Sequence, residues 1–190
     1  MEIKVAKTAG FCFGVNRAVE LTYGLLAEGR RVATLGPLIH NPQAVEDMQR
    51  KGAQVVDTVQ DVPAGYEVVI RSHGVPRSVY DELTVRGIRY HDATCPFVQK
   101  IQRIAAEAEK EGAVLLVAGD KTHPEVQGIV GHTRGEVFVF ADLDELAAWK
   151  GPSDPQKPLF AVAQTTFQVT KWKESSEFLK KAYTNARIFD

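Results

Sequence analysis

The sequence has no long hydrophobic run and no excess of one charge. No apolar stretch approaches the ~20 residues that a membrane-spanning helix needs, and the opening MEIKVAKTAG contains no hydrophobic core of a secretory signal. The 23 basic and 24 acidic residues give a net charge of −1, and no basic run is interleaved with aromatic residues. These absences argue against membrane and nucleic-acid partners, and they predict a cytoplasmic protein.

Cysteine is also scarce, since Cys12 and Cys95 are the only two in 190 residues. They cannot form a disulfide framework, and neither a Cys-x-x-Cys pair nor a zinc-type spacing is present. Thiols inside a cell are more often reduced than bridged. The two side chains are therefore either ordinary buried residues or metal ligands, and a disulfide between them is a third alternative.

What the sequence does contain is a regular alternation of short apolar strands and amphipathic helices. The predicted strands cover residues 3–6, 32–35, 54–56, 68–70, 88–91, 113–118, 137–140, 159–162 and 186–189. The predicted helices cover residues 15–26, a segment starting at 42, and residues 76–85, 96–111, 125–132, 142–149 and 169–182. This order predicts an α/β fold of parallel sheets joined by right-handed crossovers. We expect two similar lobes, residues 13–95 and 96–190, each a small parallel sheet with helices on both faces.

Five junctions between a strand-like run and a helix carry a cysteine or a histidine: Cys12, His40, His73, Cys95 and His123. In α/β domains such junctions lie at the carboxyl edge of the sheet, where ligands bind. A helix start also favours anions and thiolates. The sequence therefore predicts a metal centre at the cysteines beside an anion site at the histidines, all converging on one cavity. His91 and His132 lack this placement and are interpreted as structural.

Two further positions have both a structural and a functional interpretation. Glu125 lies in the first turn after His123, where an acid stabilises a helix dipole or could donate a proton in a site. The run Gln164-Thr165-Thr166 follows a strand, so its hydroxyls could cap a helix or bind a substrate alcohol.

Six segments together resemble one enzyme family. GFCFGVNRAVE, LGPLIHNPQ, RSHGVP, DATCPFV, KTHPEVQGI and AQTTF, in this order, are similar to the 4-hydroxy-3-methylbut-2-enyl diphosphate reductases, the LytB family. The resemblance covers essentially the whole chain. It implies an iron–sulfur oxidoreductase of the non-mevalonate isoprenoid pathway, with three α/β lobes that each contribute one cysteine to a 4Fe–4S cluster.

By motif position, the resemblance implies a role for each candidate residue. Cys12 and Cys95 would bind the cluster, Glu125 would deliver a proton, and the substrate would be bound by His40, His73, His123 and Thr165. The reaction would be a two-electron reductive dehydroxylation of the allylic diphosphate, giving isopentenyl and dimethylallyl diphosphate. The electrons would come from a ferredoxin or flavodoxin.

The sequence departs from this family by a large missing part. The third cysteine and the Ser/Asn-rich segment of the family pattern are absent, and roughly a third of the expected protein is missing. The N-terminal strand within residues 1–12 would belong with the missing third lobe. The alternative hypothesis is therefore a truncated, inactive fragment with a partial anion site and no stable cluster.

Overall fold

The computed structural model describes residue 4 and residues 9–189 of the chain. Two compact units are present, Met1–Ser72 with Leu83–Cys95 and His73–Glu82 with Pro96–Asp190. Residues 73–82, which the sequence placed in the first lobe, are thus counted with the second unit. The division into lobes 13–95 and 96–190 stays a prediction. The expected strand at 3–6 lies outside the described residues, apart from Lys4.

Unit 1 is built around a four-stranded parallel sheet with strand order β2-β1-β3-β4. Its elements are α1 (Phe13–Ala27), β1 (Val32–Leu35), α2 (Pro42–Arg50), β2 (Gln54–Val56), a 3₁₀ turn (Val59–Asp61), β3 (Glu67–Ile70), the end of α3 (Arg77–Val85) and β4 (Tyr90–Asp92). Residues 77–82 of α3 are counted with unit 2. All four residues of β1 are buried, as expected for a central strand covered on both faces. The sheet packs against the apolar face of α1, which carries Ala18, Val19 and Leu25.

Unit 2 has the same architecture, with strand order β6-β5-β7-β8 and all strands parallel. Its elements are α4 (Pro96–Lys110), β5 (Val114–Ala118), α5 (Pro124–Val130), β6 (Val137–Phe140), α6 (Leu143–Ala148), β7 (Leu159–Ala163), α7 (Val169–Ala182) and β8 (Ala186–Ile188). Because side chains alternate along a strand, Leu115 and Val117 face α4 and α5. Val114 and Leu116 face α6 and α7 on the other side.

The two units repeat one order of elements, so the prediction of an α/β fold with two similar parallel sheets is confirmed. The differences are at element ends. The strand predicted at 88–91 begins only at Tyr90, because the N–H of Ile88 instead closes the end of α3 by donating to the Leu83 carbonyl. Among the described residues, no helix is both long and apolar enough to cross a membrane.

A cluster of charged side chains surrounds Glu67 at the start of β3. His91 Nε2 lies 2.7 Å from Glu67 Oε2, and Arg30 Nε donates to Oε1 at 2.9 Å. The hydrogen bond to His91 and then the Arg30 guanidinium lower the pKa of Glu67 from its usual 4.5, against the opposing effect of burial. This cluster joins β3 to β4 and to the end of α1.

Glu67→Gln should remove an acid-sensitive part of the stability of unit 1. Because the folded pKa of Glu67 is depressed, its stabilisation is present above the unfolded pKa and is lost as pH falls below it. The variant should therefore be less stable than wild type at pH 7, and the gap should shrink below about pH 4.5. Urea unfolding followed by circular dichroism at pH 7, 5 and 3.5 measures this. Glu46→Gln, at an exposed position of the same unit, is the control, and a pH-independent gap for Glu67→Gln would contradict the prediction.

Candidate functional site

Cys12 stands at the N-cap of α1 and is exposed to solvent. Its carbonyl accepts the N–H of Asn16 at 2.9 Å, while its side chain makes no capping hydrogen bond. Phe11 and Phe13 on either side are also exposed, at 44% and 68%. The Cys12 thiol is therefore not used by the helix cap.

Cys95 immediately follows the loop after β4 and is half-buried. Its N–H donates to the Ser72 carbonyl at 2.9 Å. A Cβ atom built on Gly14 would lie 2.7 Å from Cys95 Sγ, closer than real Cβ contacts allow. Gly14 thus lets the first turn of α1 approach Cys95, so both cysteines lie around this turn. Both thiols are free, so the disulfide alternative is wrong.

Arg17 also lies in this region around the first turn of α1, and the sequence did not predict a role for it. From α1 it donates to the Thr94 carbonyl at 3.0 Å and to the Asp92 carbonyl at 3.1 Å. These bonds fix the loop that carries Cys95 against the helix that begins after Cys12. A single arginine within a helix gives no sequence signal for such a role.

His40 lies in the same unit, one residue before the cap of α2, and is exposed. Asn41 supplies the cap, accepting the Ala44 N–H at 3.1 Å. The two residues line a concavity of about 500 Å³ together with Pro37, Ile39 and Val45. The imidazole is therefore presented at a surface depression beside a helix start.

Unit 2 brings together four of the predicted residues. The rings of His73 and His123 meet edge to face, with their centroids 5.4 Å apart and their planes at 84°. Glu125 lies in the first turn of α5 and is 1% exposed. Thr165 N–H donates to Glu125 Oε1 at 2.6 Å, and Thr165 Oγ1 donates to Oε2 at 2.8 Å. A buried carboxyl is thus held at both oxygens by one exposed threonine.

His123 itself caps α5. Its Nδ1 accepts the Glu125 N–H at 3.1 Å, so Nδ1 carries no proton in this arrangement. The proton of the neutral ring is therefore on Nε2.

The loop carrying His73 is fixed by the end of α5. A Cβ on Gly131 would lie 2.4 Å from Pro76 Cβ and 2.8 Å from Pro76 Cα. Arg77 N–H donates to the Gly131 carbonyl at 3.1 Å, and His132 Nε2 lies 3.1 Å from the Val75 carbonyl. His132 therefore has the structural position that the sequence predicted, and Gly131 permits a close approach that the sequence did not reveal.

Thr165 also borders an apolar cavity of about 580 Å³ in unit 2. Phe97, Ile101 and Val162 contribute to its wall. Thr165 thus connects a buried carboxyl to an open space, which is the arrangement that a proton relay requires.

His123→Ala should cost about 1 kcal/mol of stability, because it removes the N-cap of α5. His123→Asn should cost less, since Asn is among the best N-cap residues and its Oδ1 can accept the same N–H. Urea midpoints of the two variants measure the difference. Equal destabilisation by both substitutions would show that the cap does not contribute and that ring packing dominates.

The structure thus gives two sets of candidate residues, one in each unit. Cys12 and Cys95 lie around the first turn of α1, and His40 lies elsewhere in unit 1. His73, His123, Glu125 and Thr165 are neighbours in unit 2. The convergence of both sets on one cavity stays a prediction.

Comparison with known proteins gives concordant results. The model of the family described as "LytB protein" matches residues 3–190. A 4-hydroxy-3-methylbut-2-enyl diphosphate reductase of Syntrophotalea carbinolica is 41% identical over 100% of this chain and 67% of its own length. The enzyme of the same name from Thermoanaerobacter sp. is 39% identical over 95% of this chain and 62% of its own length.

Solved structures agree in fold. A structure of (E)-4-hydroxy-3-methyl-but-2-enyl diphosphate reductase, described as the terminal enzyme of the non-mevalonate pathway, superposes with a TM-score of 0.83 at 34% identity, over 98% of this chain and 66% of that one. The Plasmodium falciparum reductase superposes with a TM-score of 0.85 at 23% identity, over 96% of this chain and 57% of that one. The chain therefore spans about two thirds of the length of the curated relatives it matches.

Proposed function

The chain belongs to the LytB family, and we propose that it is the part of a 4-hydroxy-3-methylbut-2-enyl diphosphate reductase that binds the diphosphate and delivers the proton. The observation that carries this proposal is the buried Glu125 carboxyl, held at both oxygens by Thr165 beside the edge-to-face pair His73 and His123. The proposed substrate is (E)-4-hydroxy-3-methylbut-2-enyl diphosphate, by analogy with the names of the relatives.

The proposed reaction is a reductive dehydroxylation. Two electrons and two protons enter, the allylic C–O bond breaks, and one water leaves with the hydroxyl oxygen. A proton adds to the allylic carbon framework, giving isopentenyl or dimethylallyl diphosphate. A ferredoxin or flavodoxin is the proposed electron donor.

Cys12 and Cys95 would hold an iron–sulfur cluster, the proposed 4Fe–4S cofactor. Both thiols are free, both adjoin a helix start, and Gly14 lets the first turn of α1 approach Cys95 Sγ closely. These properties fit thiolate ligation. When bound, the cluster supplies the electrons of the reduction.

The two hydrogen bonds between Glu125 and Thr165 define the proposed route of the proton. Thr165 N–H can only donate, so Oε1 must remain an acceptor. In the structure Thr165 Oγ1 donates to Oε2, so proton delivery requires this bond to reverse: Oε2–H would donate to Oγ1, and Oγ1 would donate in turn to the substrate oxygen. Burial of the carboxyl keeps competing water away, so the proton leaves through the exposed threonine hydroxyl.

The imidazoles suit the diphosphate end of the substrate. His123 uses Nδ1 in the helix cap, so Nε2 carries the proton of the neutral ring, and His73 lies against its ring. Two N–H donors in this arrangement can bond phosphate oxygens, as could the exposed His40 of unit 1. Orientation of the diphosphate would place the hydroxyl end of the substrate at Thr165.

A second candidate is a non-catalytic fragment that keeps both α/β units and part of the anion site. It is favoured by one observation, namely that the 190 residues contain two cysteines where the family resemblance implies three ligands. With two thiolates, a 4Fe–4S cluster would lack a protein ligand on two of its irons and would be prone to loss.

Anaerobic reconstitution separates the two candidates. Iron and sulfide content, the absorption spectrum and turnover with a strong chemical reductant are measured for this chain and for a longer LytB-family protein that includes a third cysteine. We expect fewer than four irons and no product from this chain, and both from the longer protein. Four irons and measurable product from this chain alone would reject the fragment hypothesis. No product from the longer protein would reject the reductase itself.

A further inference from the structure

Arg71 lies at the centre of the carboxyl edge of the unit 1 sheet. It directly follows β3, and Gly36 directly follows β1, the neighbouring strand. In the order β2-β1-β3-β4, the chain continues from β1 to β2 on one side of the sheet and from β3 to β4 on the other. The strand order therefore reverses between β1 and β3. The crevice at such a reversal of strand order is where open α/β sheets bind their ligands.

The guanidinium of Arg71 has no counter-charge within the described part of the chain. The side chain is half-buried, and its Nε atom is buried without a hydrogen-bond partner. The ion pairs formed among the described residues do not include it. Burial lowers the pKa of Arg71, with no neighbouring acid to oppose it, yet an arginine stays charged in proteins. A partly desolvated cation without a partner is costly, so an anion is expected beside it.

Gly36 keeps the space for this guanidinium open. Its φ is +69°, a conformation that other residues rarely adopt, and a Cβ there would lie 2.8 Å from Arg71 Nη1. The end of β1 is thus shaped so that the charged group approaches the backbone closely.

The corresponding strand ends of unit 2 can be compared with those of unit 1. Gly119 follows β5 and Gln164 follows β7, and a Cβ on Gly119 would lie 2.9 Å from Gln164 Oε1. The Gln164 amide is satisfied, because Oε1 accepts the Asp120 N–H at 3.2 Å and Nε2 donates to Thr166 Oγ1 at 3.1 Å. Unit 2 therefore closes its sheet edge with a paired neutral amide, whereas unit 1 places an unpaired cation there.

From this contrast we infer that Arg71 and Gly36 form the base of an oxyanion site at the carboxyl edge of unit 1, and that its ligand is a phosphate or diphosphate group. The planar guanidinium offers parallel N–H donors that match two oxygens of a phosphate. The glycine lets the guanidinium lie close against the end of β1. The site goes beyond the proposed reductase function, because binding here needs no cluster, no electrons and none of the unit 2 residues.

The first test is binding of inorganic pyrophosphate to the 190-residue chain, measured by calorimetry in a phosphate-free buffer of low ionic strength. Arg71→Gln should weaken binding by about tenfold or more, since it removes a charge-assisted pair of hydrogen bonds. Arg103→Gln, which removes the same charge from an exposed position of α4, should leave the affinity unchanged. Equal affinities of Arg71→Gln and wild type would overturn the inference.

The second test needs no substitution. Phenylglyoxal modifies arginine, and peptide mapping follows each site in the wild-type chain. Pyrophosphate should slow modification of Arg71 several-fold and leave Arg103 unaffected. Equal rates with and without pyrophosphate would reject the site, and equal protection by acetate would reject phosphate as its ligand. Neither readout involves turnover. A negative result here would therefore not bear on the reductase proposal, and rejection of the reductase proposal would not bear on this anion site.

Discussion

Glu125→Gln is expected to lower turnover by about 10²–10⁴-fold in an active protein that contains this chain, the contribution typical of a positioned acid. The fold should be unaffected because the amide satisfies the same partners. Its carbonyl can accept the Thr165 N–H, and its NH₂ group can donate to Thr165 Oγ1. What the amide lacks is a transferable proton.

Steady-state kinetics with a chemical reductant measure this loss, and calorimetry checks that substrate affinity is retained. Glu107→Gln, which makes the same chemical change at an exposed position of α4, is the matched control. Turnover near the wild-type value would reassign the proton donor to His123 or to the diphosphate of the substrate.

Gly131→Ala is expected to lower the free energy of unfolding by about 1–3 kcal/mol, the usual cost of overpacking. The φ of Gly131 is −68°, so no backbone strain favours glycine there. The cause is contact alone, because the new methyl group would overlap Pro76 at both Cβ and Cα. Since proline is rigid, the backbone of the loop that carries His73 must shift.

Gly24→Ala is the matched control for this steric argument. Gly24 lies inside α1, is exposed, and a Cβ there would have no neighbour within 4 Å. Alanine should therefore stabilise the chain by about 0.5–1 kcal/mol through helix propensity. Urea unfolding should show opposite signs for the two substitutions, and an unchanged or raised midpoint for Gly131→Ala would refute the steric account.

The regular elements could be predicted because their determinants are local. Apolar runs with alternating helices specify parallel strands, and Asn41-Pro42 places the start of α2 at the observed residue. Errors occurred where a terminal residue has two possible partners. Ile88 was predicted to begin a strand, but its N–H closes a helix instead. Likewise, the helix predicted at 125–132 ends at Val130, since the His132 N–H makes a turn to the Ile129 carbonyl.

The site was less predictable because its contacts join residues that are distant in the sequence. Strand ends indicated which residues reach the sheet edge, but not that Thr165 bonds both oxygens of Glu125. Nor could spacing reveal that His123 uses one nitrogen as a helix cap. Arg17 and Arg71 were missed for a similar reason. Arginine is common in protein sequences, and its role depends on the groups around its guanidinium, which the sequence does not show.

The repeated architecture also determines where in the sequence the ligands of a metal centre can lie. Cys12 precedes the first helix of one unit, and Cys95 precedes the first helix of the next. Both cysteines belong to unit 1, yet each directly precedes the first helix of one helix–strand repeat, in contrast to a loop that holds two ligands a few residues apart. Duplication of such a repeat adds a donor, and loss of a repeat removes one. Searches for short motifs rely on ligands that are close in sequence, so they do not detect a centre of this kind. Aligning the chain with itself would detect the repeated position of the cysteines.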